Sequence, residues 1–266
     1  MLRLEPECRL LSIPKVQMPQ VLERGNIYFV YRPRVEETSV SGLEDIQRFF
    51  MILSPHNNQW HRLIVIGRKK LPEIEDRHER NWGFVQKVAH DADDIEAELD
   101  RITYATKTRG ERHLAPARPA GEGVYAIVRH EDHTHLAFAL ELPSKPGEVQ
   151  GELNIPQQGS YIITVRNPEQ TAPPGIGLPG DGKPELPQRL RARFRGRRFV
   201  PVDPPDFLDR EGTEFVLIGA DEDVFEELGV PLKPQRETID TAEIFNELHM
   251  ERRDHPLKPL FEGKWQ

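Results

Sequence analysis

Six short runs of branched and aromatic residues, four of them ended by proline, constrain this chain more than any other feature. From Gly25 the sequence reads GNIYFVYR, then RFFMILSP to Pro55, then RLIVIGRKKLP to Pro72. From Gly123 it reads GVYAIVRH, then HLAFALELP to Pro143, then SYIITVRNP to Pro168. Such runs form strands, because β-branched and aromatic side chains suit a pleated surface and proline cannot continue a ladder. The order also repeats: Tyr28 and Tyr125 hold matching places, each followed four residues on by Arg32 or Arg129. Side chains two apart share a strand face, so each Tyr is expected beside its Arg. The pattern predicts two similar three-stranded β-units, about residues 25–72 and 123–168.

Composition narrows the function classes. With 24 Pro and 19 Gly in 266 residues, the chain favours turns over long helices. A net charge of −8 opposes broad nucleic-acid affinity, since an acidic surface repels phosphate, although local basic patches can still bind anions. The single cysteine, Cys8, excludes an intrachain disulfide and reads as a small residue near a first strand, RLLSI. Glu5 and Glu7 interrupt any signal-peptide pattern, and no apolar run approaches the roughly 20 residues that span a bilayer. A cytoplasmic protein is the expectation.

Residues 171–187, TAPPGIGLPGDGKPELP, hold five Pro and four Gly and read as a linker. Residues 1–170 are then a domain carrying both β-units. A helix is predicted between the units, about residues 92–106, with Asp91 as its cap and Ile95, Leu99 and Ile102 as its apolar stripe. Residues 188–266 read as a C-terminal module of a strand pair and two helices. One helix is expected over Asp221–Leu228, stopped by Gly229; the other runs from Asp240 to about Arg253, with Glu243 in capping-box spacing. The fold class is α+β, mainly antiparallel β, because strands do not alternate with helices.

Three patterns carry candidate chemistry. In HEDHTH, the imidazoles of His130, His133 and His135 can ligate a divalent transition metal if the hairpin tip converges, against the competing reading of a solvated turn. In RLRARFRGRR, read as a strand, alternation sets Arg191, Arg193 and Arg195 on one face, with Arg198 beyond, as a holder of phosphate or of an acidic partner. The competing reading there is a solvated face or pairing with the acidic run 221–227. In the tail, Phe261 and Trp265 are candidate anchors for a protein partner. Gly175, Gly177 and Gly180 spell GxGxxG, but Pro179 and Pro184 prevent the helix that a dinucleotide site needs. Trp60, near His56 and His61, and Trp82 are candidates for an aromatic wall, weighed against ordinary core packing.

Residues 192–218, ARFRGRRFVPVDPPDFLDREGTEFVLI, run through a glycine turn, spaced prolines and an E-G turn into a final apolar run. Through Gly196, Pro201, Pro204, Glu211 and Gly212 this segment resembles the β-strand motif of small prokaryotic antitoxins. The resemblance implies a partner-binding or self-associating strand pair. No nucleophile elbow, P-loop, kinase set or defined carboxylate pair is present. The expectation is therefore a non-enzymatic binding or assembly protein acting through protein contacts or self-association, with no cofactor and no membrane partner. A metal-dependent enzyme or sensor at the histidines is the second reading, and phosphate or nucleic-acid binding at the arginines the third.

Overall fold

The computed structural model describes residues 19–57, 59–108, 110–172, 183–235, 237–238, 241–250, 252 and 255–266. Cys8, the RLLSI run, the Gly175–Gly180 motif, Asp240 and Arg253 lie outside them.

The strands are β1 (Gln20–Pro33), β2 (Ile46–Pro55), β3 (His61–Ile66), β4 (Asn81–Ala89), β5 (Ile102–Thr106), β6 (Gly110–Leu114), β7 (Arg118–His130), β8 (His133–Leu142), β9 (Gln158–Arg166), β10 (Phe199–Pro201) and β11 (Glu214–Asp221). Eight of them close into an antiparallel barrel in the order β9-β11-β4-β3-β2-β1-β7-β8, with β8 returning to β9. Closure removes the free sheet edges that invite association. Strand β10 lies on β9 beyond the reach of β8, and β5–β6 forms a separate two-stranded arm.

Predominantly antiparallel β structure is as the runs predict. Each predicted triplet contains adjacent strands, but the echo between the triplets does not extend to the faces. Tyr125 points into the barrel core, whereas Tyr28 packs on the outer face. Arg32 donates to the carbonyls of Glu98 and Asp100 at the end of helix α1 (Ala92–Leu99), while Arg129 binds Asp203 at the surface. Strand β11 enters between β4 and β9, so residues 214–221, expected in a separate C-terminal module, form part of the barrel wall. β10 and β11 flank β9 and do not pair with each other, so residues 192–218 form no strand pair of their own: β11 is a barrel strand and β10 a short strand beside it.

The barrel is filled. Phe29, Phe49, Phe138 and Tyr161 form an aromatic column through it, with ring centroids 5.1–6.0 Å apart. One end is covered by Phe207 and Leu208, the other by Trp265, whose ring meets Tyr31 edge-on at 5.3 Å. Near the first end the buried Arg62 donates to both oxygens of Glu23 at 2.6 and 2.9 Å and to Asp209 at 2.8 Å. Tyr125 donates to Glu23 at 2.7 Å. Burial opposes the Arg62 charge, but the hydrogen bonds and charge of Glu23 outweigh it and hold the guanidinium above its ordinary pKa.

Two expected elements differ. The helix predicted to residue 106 stops at Leu99, where Asp100 turns extended; Ile102, Thr103 and Tyr104, branched or aromatic, begin β5 instead. A short helix α2 (Glu148–Glu152) follows β8, and the predicted arginine strand is helix α3 (Gln188–Phe194), with only the later Phe199–Pro201 extended. Leu190 and Phe194 fit both periods, two and 3.6, and arginine favours helix, so the alternation misled. Of the two C-terminal helices, α4 (Val224–Leu228) ends before Gly229 at φ 60°. The other, α5 (Glu243–Glu247), is short because His249 takes a left-handed φ of 54°. The outer face carries α1 and α5 on one apolar patch and α4 on another. Among the described residues, no helix is long and apolar enough to cross a membrane.

Candidate functional site

The two-residue turn between β7 and β8, which holds Glu131 at a left-handed φ of 54°, meets α3 and its following loop in an open cleft of about 230 Å³. It is lined by Glu131, Asp132 and His133 from the turn, by Arg193 and Arg197 from α3 and the loop after it, and by Arg129 and Asp203. Arg129 is held there by Asp203 at 2.7 Å and by Gln20. Arg193 and Arg197 make no ion pair among the described residues. Two segments some sixty positions apart, each singled out by the sequence, therefore share one cleft.

The remaining sequence candidates disperse. His133 is exposed beside Asp132 at 3.4 Å, but His135 is buried under α4, its Nδ1 3.6 Å from Glu227. Burial, with the charges of His130 and His133, pulls His135 down to a pKa of about 4. His130 and His135 are 5.9 Å apart ring to ring. Among the described residues, no group of three or more His, Cys, Asp or Glu has a metal-holding arrangement. On a helix, positions i and i+2 diverge, so Arg191 and Arg193 do not share a face, and Arg195 leaves the helix at φ 46°. Arg189 pairs with Asp206 at 2.6 Å, while Arg195 and Arg198 are exposed outside the cleft.

The aromatic candidates also separate. Trp265 is only 8% exposed and donates to Glu152 at 3.2 Å, so it plugs the barrel; Phe261 packs partly buried on the outer face. Trp60 stacks on His90 and Trp82 leans on Phe199, at opposite ends of the β3–β4 pair, so no shared wall exists.

Two further groups escaped the sequence reading. Ser54 Oγ lies 2.8 Å from His61 Nδ1, a nucleophile–base spacing, but Ser54 is 1% exposed and beyond the reach of a substrate. On the outer face of β1 and β7, Glu122 accepts from the backbone N–H groups of Glu243 and Ile244 at 2.6 and 3.1 Å. Asn26 donates to Glu243 and Glu247 at 2.5 and 2.9 Å and bonds His56 at 2.9 Å, and Tyr28 donates to Glu247. Burial drives Glu122 up to about 8 and Glu141 to about 7, despite the N–H donors that favour their ionised forms. These acids fasten the C-terminal segment to the barrel. The visible signal was a carboxylate inside an apolar strand run, as in GEGVY and ALELP.

No family model, curated protein or solved structure matches the chain.

Proposed function

We propose that this chain is a non-enzymatic binding protein that holds a protein partner at the cleft between the 131–134 turn and α3. The observation that carries this reading is the convergence of Arg193 and Arg197, without ion pairs among the described residues, on a cleft opposite Glu131 and Asp132. Mixed charge decides between ligands. Bare phosphate gains from the arginines but is repelled by the two acids, whereas a peptide carrying both signs matches both walls. The apolar core that occupies the barrel favours a site on the surface.

The test uses a fluorescein-labelled peptide of alternating glutamate and lysine blocks and measures anisotropy against the full chain at rising salt. Wild type is expected to bind with affinity that falls as salt rises. Arg193→Glu with Arg197→Glu should weaken binding at least tenfold, and inorganic phosphate should not compete. Equal binding by the double variant, or indifference to salt, contradicts the assignment.

A further inference from the structure

The arm made by β5 and β6 stands beside the barrel wall and flanks a second open cleft, of about 500 Å³. It is lined by Arg34, Val35 and Gln47 from the barrel, Lys69 from the turn after β3, and Tyr104, Thr106 and Arg112 from the arm. Every charged side chain of that lining is a cation. Tyr104 and Arg112 are directly opposite in the hairpin register, so they emerge on one face of the arm. Among the described residues Tyr104 and its same-face neighbour Ile102 are the large hydrophobic side chains left exposed, at 39% and 38%.

The cleft is held open by its own bonds. The Glu36 N–H donates to the His113 carbonyl at 2.9 Å, and the His113 N–H donates to the Glu36 carboxylate at 2.9 Å, tying arm to barrel. Lys69, at a left-handed φ of 61°, donates to the Ile46 carbonyl, which fixes its ammonium. Burial and the nearby Arg34 guanidinium push Lys69 below its ordinary pKa, with Glu44 opposing. Two cations held this close favour an anion between them. Glu36 offsets Arg112 in part, at 3.4 Å, but it is not a lining group.

We propose that this cleft binds a nucleotide: Arg34, Lys69 and Arg112 take its phosphate, and Tyr104 stacks on its base. Guanidinium and ammonium donors suit phosphate oxygens. An exposed tyrosine next to them accepts a planar ring, as in single-strand binding grooves. The volume is of the size that holds one such ligand. The nucleotide can be free or part of a single strand.

The experiment is a calorimetric titration of the full chain with adenosine 5′-monophosphate, with adenosine, with inorganic phosphate and with a short oligothymidylate. Adenosine monophosphate is expected to bind at least tenfold more tightly than adenosine or phosphate alone. Arg34→Glu should reduce that affinity at least tenfold, and Tyr104→Ala should reduce it about fivefold while leaving phosphate binding unchanged. Both side chains are exposed and hold no part of the fold together, so unchanged thermal midpoints are expected. Tighter binding of the oligonucleotide assigns the site to single strands, and tighter binding of the monophosphate assigns it to free nucleotide. No heat with either ligand at millimolar concentration, or affinity indifferent to Arg34→Glu, overturns the proposal.

Discussion

Glu122 should make this protein less stable as the solution becomes more alkaline. Its side chain is fully buried, and burial raises its carboxyl from an ordinary 4.5 to about 8, so at neutral pH the folded protein holds it protonated. In the unfolded chain the same group is ionised above pH 4.5. A raised folded pKa contributes stability that is complete below the unfolded value and is lost as pH climbs through the folded one. The full span corresponds to about 5 kcal/mol, an upper bound because local relaxation lets water reach the charge. At an m-value of about 2–3 kcal/mol per M, the urea midpoint should drop by up to about 2 M between pH 5 and pH 9.

Glu141 titrates in the same direction near 7, and Glu243 beside it is also raised, so the slope is shared. Urea denaturation of wild type, Glu122→Gln and Glu122→Gln with Glu141→Gln, at pH 5, 6, 7, 8 and 9, separates them. The glutamine keeps an acceptor for the N–H groups at the start of α5, so a loss of about 1 kcal/mol at pH 5 is expected. The single variant should lose much of the slope and the double variant more, leaving the share of Glu243. If Glu122→Gln falls with pH as steeply as wild type, Glu122 is not buried as a neutral acid and the reasoning fails.

Trp265→Ala should cost about 3–5 kcal/mol, because the indole is buried against Tyr31 and closes one barrel end. A loss under about 1 kcal/mol by urea titration would return Trp265 to the role of surface anchor. Glu23→Ala should cost about 3–5 kcal/mol by leaving Arg62 and Tyr125 without their shared partner. Pairing it with Arg62→Met should recover much of that loss, and strictly additive effects would show that the two side chains are not coupled.

The strand runs were legible because alternation and proline boundaries are local: β2, β8 and β9 keep close to their expected limits, whereas β1 and β7 begin five residues before Gly25 and Gly123, and β3 ends at Ile66, well short of Pro72. Strand β4, NWGFVQKVA, is not among the six runs, because Asn81, Gln86 and Lys87 interrupt its apolar residues. The segment RLRARF was ambiguous in principle, since Leu190 and Phe194 satisfy a helix and a strand alike, and only packing of Phe194 on Phe207 selects the helix. The candidate sites were legible only in pieces. His133 and Arg193 stood out separately, and no spacing rule joins them. Arg34, Lys69 and Arg112 did not stand out at all, because each is an ordinary surface cation until the arm folds back.

What the sequence determined alone is the material of a turn-rich antiparallel β protein: side-chain shape and proline act on the neighbouring backbone, whatever the rest of the chain does. Closure of that material into one barrel was decided by tertiary structure. It depends on β11 pairing with both β4 and β9 and on β8 meeting β9, contacts between distant segments that no local preference encodes. Closure also fixed which side of each strand became core. The matching tyrosines, Tyr28 and Tyr125, thus faced opposite ways, and the surface clefts formed where loops from distant strands happened to meet.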